Sequence, residues 1–178
     1  MERSTLATGN RMQFTRLDTA ERTRFLRALA TMPAYLYEQF HELDADRARL
    51  PGAGGAFSPV EQVWHLADLE REGFAVRIRR LREEENPTLA DFDGTQVARE
   101  RHYRSRSLRE GLEAFRHARE ANLKVLGSLG EDSWTRAGVQ EGVGVVMLCD
   151  MPAFLLQHDE AHRLEIEEWK RSVGAASV

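Results

Sequence analysis

The chain has 178 residues, of which 25 are lysine or arginine and 29 are aspartate or glutamate, so its formal net charge is -4 and its pI is near 5.9. This length predicts one compact domain rather than two, and the acidic balance argues against a dedicated nucleic-acid binder. Because there is one cysteine, Cys149, no secretory signal and no run of roughly 20 apolar residues that could cross a membrane, we expect a cytoplasmic protein without intrachain disulfides or a membrane partner.

The first predicted helix follows a polar segment. Residues 1–18 show little periodicity, and we expect them to form a weakly ordered lead-in. Either Asp18 or Thr19 can cap the helix that follows. Pro33 interrupts the apolar periodicity and should kink this helix or split it, and the helix should end before Pro51.

The second helix has the clearest start in the chain. Ser58 is a predicted N-cap, Pro59 takes the first helical position, and Glu61 completes a capping box. The helix should run to about Glu85, and residues 86–94 should form a loop. Two apolar stripes along it indicate neighbours on more than one side, as in a helical bundle.

Two further helices complete the pattern. A third helical region is predicted over residues 95–129, either continuous or interrupted near Ser105. Residues 134–146 should form a long loop that could include an extended piece. A fourth helix should cover 146–173, with a frayed tail over 174–178.

Four long helices with little strand signal predict an all-α fold. The connecting loops are long enough for at least one crossover connection, so we expect a four-helix bundle over residues 19–173.

The most informative local pattern is a pair of histidines, His158 and His162, in the fourth helix. Residues at positions i and i+4 lie one above the other on a helix face, so the two imidazoles can converge on one ion. The same face carries mostly apolar residues, which predicts that the pair points toward the interior. The alternative is a chance pair on a solvated face.

His65, in the early turns of the second helix, is the obvious third ligand. A single histidine near an apolar stripe is more often a hydrogen-bonded boundary residue, so His65 becomes a ligand candidate only together with the pair in the fourth helix. The remaining histidines, His41, His102 and His117, are predicted to occupy surface or boundary positions.

Several stretches together resemble the DinB superfamily of DinB/YfiT-like metalloenzymes. Residues 57–70 (FSPVEQVWHLADLE) resemble the family's first histidine element, and residues 155–166 (LLQHDEAHRLEI) resemble its closing His-x-x-x-His element. Residues 86–93 (NPTLADFD) and 98–103 (ARERHY) resemble one branch of the family. The resemblance covers roughly residues 20 to 170, and it depends on the order and spacing of these stretches rather than on a single motif.

The resemblance implies a bundle of the DinB/YfiT type with three histidines on one divalent metal, usually zinc or nickel. When the family's ligand positions are transferred to this sequence, the implied metal ligands are His65, His158 and His162. It also implies a homodimer, a small-molecule substrate, and thiol-dependent transfer or isomerisation with a low-molecular-weight thiol. One branch has a further histidine before the fourth helix, whereas residues 136–144 contain none here, which leaves the specific reaction open.

Three neutral protein ligands leave a coordination position open, as in catalytic rather than structural metal sites. Such an ion could lower the pKa of water or of a thiol. Four carboxylates near the histidines are candidates for fixing an imidazole tautomer: Asp68, Glu72, Asp159 and Glu165. The alternative for each is a solvated charged face, which the pattern favours for Asp159.

Three further features of the chain bear on its function. Asp159 follows His158 where a zinc protease of the His-Glu-x-x-His type has glutamate, which argues against a protease. The arginines between Arg77 and Arg109 could meet an anionic substrate, but interspersed glutamates favour a mixed solvated surface. Cys149 is predicted to be a small buried hydrophobe rather than a catalytic thiol. A non-catalytic metal-binding bundle in stress response and a metal-dependent hydrolase remain alternatives.

Overall fold

The computed structural model describes residues 18–175. The predicted lead-in before Asp18 and the last three residues of the predicted tail lie outside this range. No helix in the described range is long and apolar enough to cross a membrane.

The first bundle helix is divided in two, α1 (Thr19–Leu29) and α2 (Met32–Phe40). Asp18 caps α1, because its side chain accepts from the Glu21 N–H and the Glu21 side chain accepts from the Asp18 N–H. Pro33 lies in the first turn of α2, where a missing N–H leaves no hydrogen bond unmade, so the predicted interruption is a split.

The helix ends earlier than the sequence predicted. After Phe40 the chain turns, and Asp44 starts a short separate helix, α3 (Ala45–Ala48), by accepting from the N–H groups of Asp46 and Arg47. Asp44, whose side chain can cap a helix start, therefore indicated that the predicted helix ends before it and that a new one begins.

The second bundle helix comprises α4 (Pro59–Asp68), a π-helical segment (Leu69–Phe74) and α5 (Ala75–Glu83). The Ser58 capping box is confirmed, since the Glu61 carboxylate accepts from the Ser58 N–H at 2.9 Å. The helical run continues to Glu83, close to the predicted end at about Glu85, but its π segment was not predicted. The π turn inserts an extra residue and buries the charged Glu70, which is 2% exposed, among the other helices.

The third predicted helical region is interrupted near Ser105, which was one of the two predicted possibilities. It consists of α6 (Gly94–Glu100) and α7 (Leu108–Gly127). Between them, His102 adopts a left-handed conformation with φ of 51°, and a single 3₁₀ turn follows. Ser107 then caps α7 with its side chain.

A small three-stranded sheet replaces two of the predicted loops. It contains β1 (Thr88–Leu89), β2 (Ala137–Gln140) and β3 (Gly144–Met147). β1 is parallel to β2, with Leu89 opposite Gln140, and β2 is antiparallel to β3. The extended piece predicted over 134–146 is thus present, but its pairing with a segment about fifty residues earlier was not predicted.

The fourth bundle helix, α8 (Met151–Ala175), begins five residues later than predicted. Val146 and Met147 belong to β3, and the Asp150 carboxylate then accepts from the Met147 N–H at 2.8 Å. A 3₁₀ turn over Leu148–Asp150 leads directly into α8.

These helices form the predicted four-helix bundle. The unit α1–α2 packs against α7 and α8, while α4 packs against α7, so the connection from α2 to α4 crosses the bundle. The buried core has two parts. One surrounds Leu29, Ile78 and Leu126, and the other surrounds Leu36, Val63 and Ile166. α4 and α8 carry the three candidate histidines.

Candidate metal centre

The structure brings the three predicted histidines together. His65 comes from α4, and His158 and His162 come from successive turns of α8. Nε2 of His158 lies 3.3 Å from Nε2 of His65 and 3.2 Å from Nε2 of His162. One ring nitrogen of each histidine lies within 4.8 Å of the other two.

These separations fit a divalent ion. Two nitrogens that each lie about 2.0–2.1 Å from one tetrahedral ion are about 3.3 Å apart. The Nε2 atoms of His158 and its two neighbours match that spacing. Three imidazole nitrogens that converge in this way can direct their lone pairs at one cation between them, so the donor set and its geometry suit zinc or a similar ion.

Burial favours the neutral form of His65 and His158. Burial and, after it, repulsion from a protonated His162 lower the pKa of His65 to about 4. Burial also lowers the pKa of His158 far below its usual value. Repulsion from His162 and His65, when these are protonated, and from Arg119 and Arg77 acts in the same direction on His158. Neutral imidazole is the form that binds a metal.

His162 is oriented by its neighbours. Its Nδ1–H donates to Oε1 of Gln62, and Nδ1 also lies 3.2 Å from the Glu165 carboxylate. Gln62 in turn donates to Glu165 at 2.8 Å. Because Nδ1 carries the proton, Nε2 presents its lone pair to the cluster.

Sequence reasoning named Glu165 but missed Gln62. The sequence did indicate Gln62 as a neighbour of the site, because it lies three residues before His65 and therefore on the same face of α4.

Two of the other three predicted orienting carboxylates, Asp68 and Glu72, are bonded away from the histidines. Asp68 accepts from the Tyr103 hydroxyl at 2.5 Å and from Arg101 at 2.6 Å, and it also pairs with Arg71. Glu72 accepts both of its bonds from Arg101, at 2.6 and 2.8 Å. These contacts fasten the segment after α6 to the second bundle helix. Asp68 and Glu72 therefore position a chain segment rather than His65.

A buried ion network lies next to His158. Arg119 of α7, 1% exposed, donates to both oxygens of Asp159 at 2.7 Å and to Glu70 at 2.9 Å. Asn122 donates to Glu70 at 2.6 Å. The solvated position predicted for Asp159 was wrong, since it is 3% exposed. The network holds the turn of α8 that carries His158 against α7 and the π segment.

Two aromatic rings and a glycine pack around the imidazole of His65. The rings of Phe57 and Phe92 lie 5.5 and 6.2 Å from the imidazole, measured between centroids. A Cβ at Gly94 would overlap Cε1 and Nδ1 of His65. The start of α6 therefore approaches the imidazole closely because residue 94 has no side chain.

A cavity of about 470 Å³ adjoins the cluster. His65 and His158 lie in its wall, together with residues from the π segment, α5, the β2–β3 hairpin and α8. The histidines thus face a space large enough for a small molecule.

The remaining sequence predictions concern the other three histidines, the cysteine and the arginines. The side chains of His41, His102 and His117 are exposed, as expected. Cys149 is 1% exposed, and burial raises the pKa of its thiol to about 11, which suits a packed side chain rather than a nucleophile. Arg77 differs from its neighbouring arginines, because it is 7% exposed and lines the cavity instead of a solvated surface.

Comparison with known proteins agrees with this architecture. The sequence profile of the DinB superfamily matches residues 18–166. The structure is similar to that of YfiT from Bacillus subtilis, with a TM-score of 0.83 and 16% sequence identity over 94% of this chain and 96% of that one. YfiT is described as "a probable metal-dependent hydrolase with an unusual four-helix bundle topology". No curated protein matches the sequence.

Proposed function

Because the chain belongs to the DinB superfamily, we propose that it is a divalent-metal-dependent enzyme in which His65, His158 and His162 hold the ion. The observation that carries this proposal is the convergence of three imidazoles, one buried and two partly buried, beside a cavity of about 470 Å³. A divalent cation on three neutral imidazoles supplies Lewis acidity and lowers the pKa of a bound water or thiol.

The surrounding residues hold the donors in place before an ion arrives. Gln62 and Glu165 fix the tautomer and the rotation of His162. The bond between Arg119 and Asp159 fixes the backbone turn that carries His158. A site built on packed helices and supported in this way binds its ion with little reorganisation.

The finer proposal is transfer or isomerisation that uses a low-molecular-weight thiol, with zinc or nickel as the ion. Imidazole donors suit both metals. The resemblance in residues 57–70 and 155–166 supports the thiol, and the thiol supplies the nucleophile.

Hydrolysis is the second candidate. It is favoured by the fold shared with YfiT, which is described as "a probable metal-dependent hydrolase". In that case the nucleophile is water, and turnover needs no thiol.

Metal analysis tests the first step of the proposal. We expect the purified protein to contain about one divalent ion per chain, and His158→Ala to lose it. His117→Ala, which changes an exposed histidine on α7, is the matched control and should keep the ion. A wild-type protein that carries no metal and binds none on titration would contradict the proposal.

Turnover assays separate the candidate reactions. Zinc- and nickel-loaded protein would be assayed with electrophiles in the presence and absence of small thiols, and with esters and amides alone. Thiol-dependent turnover supports transfer, and thiol-independent turnover of esters or amides supports hydrolysis. A metal-loaded protein that is inactive throughout points instead to a non-catalytic metal-binding bundle.

We also propose a homodimer, as the family resemblance implies. Light scattering coupled to size-exclusion chromatography would give twice the 20.3 kDa mass of the chain, and a mass of one chain would contradict this proposal.

A further inference from the structure

Three unpaired polar atoms belong to residues that line one cavity. Within residues 18–175, the buried side-chain atoms that have no hydrogen-bond partner are Nδ1 of His65, Nε of Arg77 and Oε1 of Gln140. All three residues line the cavity beside the histidine cluster. Folded proteins rarely leave buried polar atoms unpaired, and those that occur together in a cavity indicate where a polar ligand binds.

Arg77 brings a positive charge to this cavity. It is 7% exposed, and its Nη2 donates to the Ala90 carbonyl at 3.2 Å, while its Nε–H has no acceptor. Arg77 and His158 line the same cavity, so the guanidinium and the histidine cluster face a common space. A buried arginine with a free N–H is suited to bind the planar oxygen pair of an anion.

Gln140 contributes an acceptor. It lies at the end of β2, is 6% exposed, and its Oε1 is unpaired. The sheet fixes its position, since Gln140 pairs with Leu89 on one side and with Gly144 on the other. A ligand that satisfies this oxygen must carry a hydroxyl or N–H donor.

The rest of the cavity wall is largely apolar. Its apolar members come from the π segment, the chain before α6, the hairpin loop and α8: Leu69, Phe74, Phe92, Val143 and Phe154. Such a wall accommodates a compact apolar or aromatic body between the polar ends of a ligand.

We propose that this cavity binds a small carboxylic acid that also carries a hydrogen-bond donor, with its carboxylate on Arg77 and its donor on Gln140. The inference rests on the proposed function only in placing the reactive end of that acid at the histidines. A carboxylate is favoured over a phosphate dianion because Asp91 lies 3.7 Å from the guanidinium and offsets part of its charge.

Mandelate is a suitable probe, since it has a carboxylate, a hydroxyl donor and an aromatic body. Mandelamide lacks the negative charge, and phenylacetate lacks the hydroxyl. Binding would be followed calorimetrically and by the ¹H–¹⁵N resonance of the Arg77 Nε–H, assigned by its loss in Arg77→Met. Each titration would be run on metal-free and on zinc-loaded protein.

We expect mandelate to bind at least about tenfold more tightly than mandelamide and severalfold more tightly than phenylacetate, and to shift the Arg77 resonance. Arg77→Met should remove the preference for the carboxylate, and Gln140→Met should remove the preference for the hydroxyl. Arg80→Met, which changes a more exposed arginine of α5 that pairs with Glu84, is the matched control and should leave affinity within about twofold.

Equal binding of mandelate and mandelamide, or unchanged affinity in a folded Arg77→Met variant, would overturn the inference. Tighter binding of inorganic phosphate than of mandelate would overturn the choice of a carboxylate. Mandelate binding to metal-free protein that takes up no zinc would support the cavity assignment while the proposed metal function fails. Zinc uptake by a protein that does not prefer mandelate, whether metal-free or zinc-loaded, would support the metal function and overturn the cavity assignment.

Discussion

Replacing Arg119 by methionine tests whether the buried ion network supports the fold beneath the histidines. The Arg119 guanidinium pairs with both Glu70 and Asp159. All three residues are buried, since Arg119, Glu70 and Asp159 are 1%, 2% and 3% exposed. Methionine preserves much of the apolar stem, so the substitution removes charge more than volume. Two carboxylates then remain buried without the cation that paired them.

The expected loss is large. Breaking a buried ion pair by removing one partner costs about 3–5 kcal/mol in free energy of unfolding. In a domain of this size each kcal/mol lowers the melting temperature by about 2–4 °C, so we expect a decrease of roughly 6–20 °C. Arg116→Met is the matched control on the same helix. Arg116 pairs with Glu120 on the surface, and its loss should cost about 0.3–0.5 kcal/mol.

The loss should depend on pH in a defined direction. Burial already raises the pKa of Glu70 in the folded protein, and the charge of Arg119 opposes that rise. Without Arg119, the folded state holds a proton on Glu70 at a pH where the unfolded chain, with a glutamate pKa of about 4.3, has released it. The free energy of unfolding of the variant therefore falls as pH rises, and its deficit relative to wild type is smaller at pH 5 than at pH 8.

Urea unfolding at pH 5 and pH 8, followed by circular dichroism, measures both effects. Adding Glu70→Gln and Asp159→Asn to Arg119→Met should recover part of the lost stability at pH 8, because the buried charges are then absent. A loss below about 1 kcal/mol, or a loss that is the same at both pH values, would refute the reasoning, since the carboxylates could not then be buried as charges.

The other predictions concern the metal centre and the cysteine. Gly94→Ala should displace His65 and weaken zinc binding by about 10–100-fold in a competition titration with a chelator, whereas Gly127→Ala, where a Cβ meets no atom within 4 Å, should leave zinc affinity unchanged. Gln62→Leu should weaken zinc binding by about tenfold or more in the same titration, and unchanged affinity would show that the orienting hydrogen bond is dispensable. Because burial raises the pKa of Cys149 to about 11, its alkylation by iodoacetamide at pH 8, measured by mass spectrometry, should be at least about 100-fold slower than that of free cysteine and should accelerate as pH rises. Rapid alkylation of the folded protein at pH 8 would show instead an accessible thiol.

The sequence by itself determined the features that depend on neighbours within one or two helical turns. The capping box at Ser58 and the spacing of His158 and His162 act over three and four residues, and the structure contains both. Regular apolar spacing likewise predicted four bundle helices, because a helix must bury one face against others. Pro33 marked the division of the first helix for an equally local reason.

Only the tertiary structure decided the features that depend on distant parts of the chain. The π segment places Glu70 opposite Arg119, forty-nine residues later, and β1 finds its partner β2 across a similar distance. Asp159 looked solvated because its partner Arg119 lies on another helix. Arg77 looked solvated because its sequence neighbours do not reveal that Ala90 and Asp91 contact its guanidinium beside the cavity. Helix periodicity reports which face is apolar, but a buried charge is specified by the partner it meets after folding.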